Sequence, residues 1–218
     1  MSSSAPFVVL GAPTDAHVHL GLVDRDAVAR SVLGGVVDLG GDLGAPREVA
    51  GENGIPPLRV EIAGPFLTPP GGYPSTRGWA DPSWVREIAR APFSAGLSAR
   101  EIAEHAARVT WVSTLAIHPA GSAERAWAVE NVAAFHAAGG RVLYGTDMGN
   151  GPGPAGLNPA ELDALRDAGL TTSDLLAAFD LADSRDPAAR LMLVDGEGDD
   201  LDLTTARPAP PDIREALR

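Results

Sequence analysis

The sequence predicts an α/β fold with parallel strand pairing, and three observations carry that reading. Strand-like and helix-like segments alternate in chain order from residue 7 to residue 179, the pattern of β-α-β units. The expected helices open on capping residues and close on glycine. The expected strands run into loops that carry the polar residues, as in folds that keep their chemistry at strand ends.

Residues 7–10, Phe-Val-Val-Leu, read as a short buried strand that leads into Thr14-Asp15-Ala16-His17-Val18-His19. Residues i and i+2 of a strand share a face, so His17 and His19 are expected to point the same way. Two such rings can hold one divalent ion jointly. They are equally compatible with two partly buried histidines in a turn. Asp24 caps a helix through Val28 and Val32 that Gly34-Gly35 stops, and residues 36–39 form the second strand. The glycine-rich loop 40–46 suits close backbone approach to a ligand or a plain turn. Residues 48–53 read as one or two helical turns, and residues 59–63 as a third strand.

Residues 64–81 interleave prolines and glycines with Phe66, Tyr73 and Trp79, which favours a lid or binding loop over an unstructured insertion. Gly72 and Tyr73 are its candidate substrate-binding residues. Asp81 with Pro82 at the first position predicts a helix through Trp84, Val85, Ile88 and Arg90. Ser98 and Glu101 form a capping box before another helix, on which His105 is read as solvated. Residues 109–117 are the most strand-like run and end at His118, which either faces the site as a third substrate-binding candidate or is a hydrogen-bonded loop residue.

Residues 122–138 form an amphipathic helix in which His136 suits the C-terminal dipole. Residues 142–146 are a strand that ends at Asp147, either a turn former or a ligand and base. Asn158 caps a helix with Pro159 at its first position, Thr171 or Thr172 opens another, and residues 191–194 are a short strand. The stretch from Glu197, acidic and then proline-rich, is expected to be a loosely packed tail, so that residues 1–196 form the domain and 197–218 the tail.

Composition narrows the function. The chain has 218 residues, 44% of them hydrophobic, and no cysteine, so disulfides and thiolate chemistry are excluded and a cytoplasmic location is the simplest expectation. A formal charge of −12 without a basic stripe argues against nucleic acid, and no apolar run is long enough for a membrane span. Residues 1–6 lack the features of a secretion signal. All 17 basic residues are arginine, so neither a Schiff base nor a lysine carbamate can form.

Taken in order, Thr14-Asp15-Ala16-His17-Val18-His19-Leu20, the run 62–72 (Ile-Ala-Gly-Pro-Phe-Leu-Thr-Pro-Pro-Gly-Gly), residues 111–118 and Tyr144-Gly145-Thr146-Asp147 resemble the metal-dependent amidohydrolase superfamily. The likeness is strongest to its imidazolonepropionase-like branch. It implies a (β/α)₈ TIM-barrel-like fold in which His17 and His19 close strand one and Asp147 closes strand eight. It also implies that all three bind a divalent metal, with Zn²⁺ the first expectation, and that Asp147 takes the proton of the attacking water. The function so implied is hydrolysis of an amide or other C–N bond in a small-molecule substrate, cyclic ones included.

The chain departs from that family in two ways. It has no strand-four lysine, and Arg90 stands where relatives carry a histidine before an Ala-Pro-Phe-like run. Asp147 lies 132 positions after Asp15, or about nineteen residues for each of seven β-α steps, where roughly twenty-five are needed. The barrel is therefore expected to be incomplete by about two β-α units, missing between Asp81 and Arg90. An open edge there would favour a homo-oligomer. Without a carbamate bridge, at most one tightly bound ion is expected. The alternative is a catalytically inactive remnant that serves as a binding or assembly subunit.

Overall fold

The computed structural model describes residues 6–41, 44, 47–51, 54–88, 104 and 106–216. The chain begins with strands β1 (Phe7–Gly11) and β2 (Thr14–Val18), helix α1 (Arg25–Arg30) and strand β3 (Gly35–Asp38). Strands β4 (Glu48–Val49), β5 (Leu58–Ile62), β6 (Phe66–Thr68), β7 (Val85–Glu87) and β8 (Thr110–Val112) follow. Helix α2 (Ala123–Ala137), strand β9 (Arg141–Leu143) and helices α3 (Pro159–Asp167) and α4 (Thr172–Ala178) come next. Strands β10 (Leu191–Asp195) and β11 (Asp202–Pro208) and helix α5 (Ile213–Ala216) end the described chain.

The result is a mixed α/β fold with several sheets. Strands β2, β3 and β5 pair in parallel, with β4 antiparallel on the outer edge of β5. Strands β8 and β9 pair in parallel, as do β6 and β7. The segment after β9 lies alongside β2: Ala16 N–H donates to the Tyr144 carbonyl at 2.9 Å, His19 N–H to that of Met148 at 2.8 Å, and Val18 bridges Met148 in parallel. Strands that end in His17, His19 and Asp147 thus share one polarity. Their C-terminal ends meet.

Two apolar clusters support this arrangement. Val132 and Phe135 of α2, Leu162 and Leu165 of α3, Leu175 of α4, and Tyr144, Phe179 and Met192 are fully buried together. A smaller cluster packs Val28 and Leu33 against Val18, Val36, Leu58 and Val60 of the parallel strands. The caps at Asp24, Ser122, Asn158 and Thr171 accept from first-turn N–H groups, and Thr171 with Asp174 completes a reciprocal box.

Four expectations are corrected. Residues 48–49 are an edge strand rather than helical turns, because pairing with β5 satisfies backbone groups that so short a helix would leave open. Asp81 caps only the 3₁₀ turn Pro82–Trp84, after which Val85–Glu87 extends against β6 in place of the expected helix. The strand-like run 109–117 keeps strand geometry only over Thr110–Val112; Thr114 turns left-handed at φ 57° and Leu115–Ile117 is a 3₁₀ turn. The stretch after Glu197 is not loose: β11 pairs antiparallel with β10, and Leu203 is fully buried. Period-two alternation in 201–205 marks that strand, and the acidic composition around it masked it. The Ser98 capping box, His105 and Arg90 lie outside the described residues.

Among the described residues no helix is long and apolar enough to cross a membrane.

Candidate metal centre

His17 and His19 stand at the end of β2, and Asp147 follows β9 in a left-handed conformation, φ 55°, which aspartate tolerates better than most residues. Asp147 Oδ1 lies 3.0 Å from His19 Nε2 and 3.3 Å from His17 Nε2. The two imidazoles are 5.2 Å apart and nearly perpendicular. Asp147 and His19 are buried and His17 is half-buried.

Each group is held from behind. His19 Nδ1 lies 3.1 Å from the Gly40 carbonyl, an acceptor, so Nδ1 carries the hydrogen and Nε2 faces Asp147. Gly40 N–H in turn donates to Asp38 Oδ1 at 3.1 Å. Asn150 Nδ2 donates to Asp147 Oδ2 at 2.8 Å. Asp15, fully buried, accepts from His17 N–H and Thr146 N–H on Oδ1 and from the Thr146 hydroxyl on Oδ2 at 2.6 Å. Asp15 thereby ties the histidine strand to the residue before Asp147.

The environment shifts these groups in different directions. Burial lowers the His17 pKa, against the pull of Asp147. Burial also acts to lower His19, but the contact with Asp147, the Gly40 carbonyl and the charge of Asp38 outweigh it, and the result is raised. For Asp147, burial acts upward and is outweighed by His19, Asn150 and His17, so it stays an anion at neutral pH. Asp15 is pushed up to about 7 by burial, opposed by its bonds to Thr146 and His17.

Two cavities meet at Asp147. The larger, about 560 Å³, is lined by His17, His19, Phe66, Tyr73, Trp79 and Asn150, among others. The smaller, about 230 Å³, shares Asp147, Gly149, Asn150 and Gly151 and is closed by Ala116, Ile117 and Asn158. Of the three residues expected to bind substrate, Tyr73 lines the larger cavity. Gly72 lines neither; its N–H donates to the Pro69 carbonyl in a turn. His118 also lines neither and caps the 3₁₀ turn Leu115–Ile117. His136 pairs with Asp174 at 3.5 Å and lines neither cavity.

With this geometry in view, comparison with known structures finds a distant likeness. The crystal structure of A. niger ochratoxinase superposes with a TM-score of 0.54 over 88% of this chain and 78% of that one. Sequence identity is 13%, so the likeness is one of fold. No protein-family model matches the chain, and no curated protein matches it.

The residues present fit a divalent ion. Asp147 Oδ1 is buried, receives no hydrogen bond of good geometry, and faces two imidazole nitrogens. A cation between them satisfies all three lone pairs at once. The three ligand atoms lie within 4.8 Å of one another, and among the described residues no other group of three or more does so. Three ligands leave a fourth position of a tetrahedron open.

The sequence reading singled out these three residues but gave no role to Asp15, Asn150 or Asp38. Asp15 was within reach of it, since the period-two alternation that pairs His17 with His19 extends back to Asp15. Asn150 and Asp38 carry no such signal, because their roles depend on loops folding back onto Asp147 and His19.

Proposed function

We propose that this chain is a metal-dependent hydrolase acting on an amide or other C–N bond of a small substrate, with His17, His19 and Asp147 around a single divalent ion, Zn²⁺ first. The observation that carries the reading is the buried, unsatisfied Oδ1 of Asp147 between two Nε2 atoms. The amidohydrolase-like motifs and the fold likeness to an ochratoxinase support it. On this reading β2, β3 and β5 are the opening strands and β8 and β9 the closing strands of an incomplete (β/α)₈ barrel, with its site at the C-terminal strand ends.

When bound, the ion would lower the pKa of a water toward neutrality and polarise the scissile carbonyl. Asp147 offers Oδ1 as a ligand and keeps Oδ2 as the proton acceptor, aimed by Asn150. The Gly40 carbonyl fixes the tautomer of His19 so that its lone pair is on Nε2. Residues 64–81 bring Phe66, Tyr73 and Trp79 to the same cavity.

The test is hydrolysis of a panel of linear and cyclic amides by the Zn²⁺-loaded protein and by Asp147→Asn. The expected result is turnover that falls by about a hundredfold or more in the variant while some ion binding persists. Undiminished hydrolysis in Asp147→Asn would contradict the mechanism. The complete absence of lysine favours one other reading, a catalytically inactive remnant that serves as a binding or assembly subunit. A chain that shows neither ion binding nor turnover of any amide in the panel would select it.

The incomplete barrel also carries the proposal of a homo-oligomer. Strand β7 ends its two-stranded sheet with β6 as its one partner among the described residues. Light scattering that shows a monomer at high concentration would reject this.

A further inference from the structure

The larger cavity is lined by His17, His19 and Asp147 and by the aromatic residues Phe66, Tyr73 and Trp79. The Phe66 ring sits 5.3 Å from that of His19 and 5.7 Å from that of Trp79, edge to face at 86°. The Tyr73 ring is 5.8 Å from Trp79. The three rings therefore form one contiguous aromatic surface that starts at a candidate metal ligand. Its outer members remain open, with Tyr73 58% and Trp79 39% exposed.

Charge is one-sided. Among the described residues that line this cavity, Asp147 is the one carboxylate and there is no arginine. Arg77 lies 5.4 Å from the centre of the Tyr73 ring but does not line the cavity. An anionic group against the aromatic rings would meet their negative faces, with no cationic side chain among the described residues that line the cavity. A flat neutral ring would stack there and cover apolar surface that water now wets. The volume, about 560 Å³, suits a small molecule with one ring beyond the reacting group.

We propose that the substrate carries an uncharged flat ring next to its scissile C–N bond, and that Phe66, Tyr73 and Trp79 form the surface that binds it. This rests on the hydrolase reading of the same site. Trp79 and Tyr73 select the ring, and His17, His19 and Asp147 act on the bond beside it.

The test is equilibrium binding of three matched probes to the full chain, before and after Zn²⁺ loading, by isothermal titration calorimetry. N-phenylacetamide is neutral and flat, N-cyclohexylacetamide is neutral and saturated, and 4-acetamidobenzoate adds a carboxylate to the ring. N-phenylacetamide should bind about threefold or more tighter than the cyclohexyl probe, and the benzoate about tenfold weaker than N-phenylacetamide. Trp79→Ala should weaken N-phenylacetamide by about three- to tenfold, and Trp79→Phe should restore most of the loss. Trp127→Ala, which replaces an exposed tryptophan on α2 that does not line the cavity, should change nothing.

Equal affinities for all three probes, tighter binding of the benzoate to the metal-free chain, or unaltered binding in both Trp79→Ala and Tyr73→Ala would overturn the proposal. Its fate is separable from that of the hydrolase reading. Ring preference in a chain that binds no Zn²⁺ leaves the aromatic surface standing and removes the hydrolase; Zn²⁺ binding with hydrolysis but no ring preference does the reverse.

Discussion

His19 Nε2 and Asp147 Oδ1 lie 3.0 Å apart, brought together by the parallel bridge between Val18 and Met148. Because Nδ1 of the same ring is engaged by the Gly40 carbonyl, a proton or a cation must sit between Nε2 and Oδ1 to offset two facing lone pairs. The two occupants compete, and the first prediction follows from that competition.

Without metal, the His19–Asp147 pair stabilises the fold within a defined pH window. His19 is raised above 6.5, so its share is present below pH 6.5 and is lost as pH rises through the folded pKa. Asp147 is lowered below 3.8, so its share is present above pH 3.8 and is lost as pH falls through the folded pKa. Zn²⁺ must displace the proton on His19. Affinity measured by competition with a chelator should therefore rise about tenfold per pH unit below the folded pKa of His19 and level off above it. An affinity that is flat between pH 5 and 8 would contradict this.

Asp15 should matter through its acceptors more than its charge. Asp15→Ala strands the Thr146 hydroxyl and two buried N–H groups and should cost about 2–4 kcal/mol by denaturant unfolding. Asp15→Asn keeps an acceptor for the two N–H groups and should cost about 1 kcal/mol or less at neutral pH, where the buried carboxylate is near its pKa of about 7. The folded pKa of Asp15 is raised above 3.8, so ionising Asp15 weakens the fold as pH rises from 3.8 to about 7. Equal losses for the two variants would remove this role.

Gly40→Ala should loosen the ion without unfolding the chain. Gly40 has φ 150°, and an added Cβ would stand 2.6 Å from the Phe66 ring, so the loop must move and carry its carbonyl away from His19. A drop in Zn²⁺ affinity of about tenfold, in the range lost when a partner behind a ligand is removed, is expected with little change in far-UV circular dichroism. Unchanged affinity would show that Gly40 does not orient His19.

The last strand is part of the fold. Leu203 of β11 is fully buried, and Leu203→Ala should cost about 2–5 kcal/mol by denaturant unfolding. A cost near zero would restore the loose tail that composition suggests.

Much of the site was legible in the sequence because its signals are local. The T-D-A-H-V-H run at a strand end and the Y-G-T-D run at another carry the three candidate ligands, and alternation alone puts both histidines on one side. The caps at Asp24 and Asn158 were equally readable, since each depends on a side chain and an N–H two or three residues on. What was not legible depends on partners distant in sequence. Val85–Glu87 is extended because β6 lies beside it, and β11 is ordered because β10 offers an edge and Leu203 a burial site. Gly72 and His118 took their expected roles from neighbours in sequence, whereas the cavity wall is composed by the folding of residues 64–81 and 147–151.

The most direct test of the central claim is the zinc content of the purified chain, measured by elemental analysis after dialysis against a weak chelator, for the unaltered protein and for the double variant His17→Ala, His19→Ala. One tightly held ion per unaltered chain and none in the double variant is the predicted result. Two ions per chain, or an ion content that the double variant leaves unchanged, would contradict a single metal centre built from His17, His19 and Asp147.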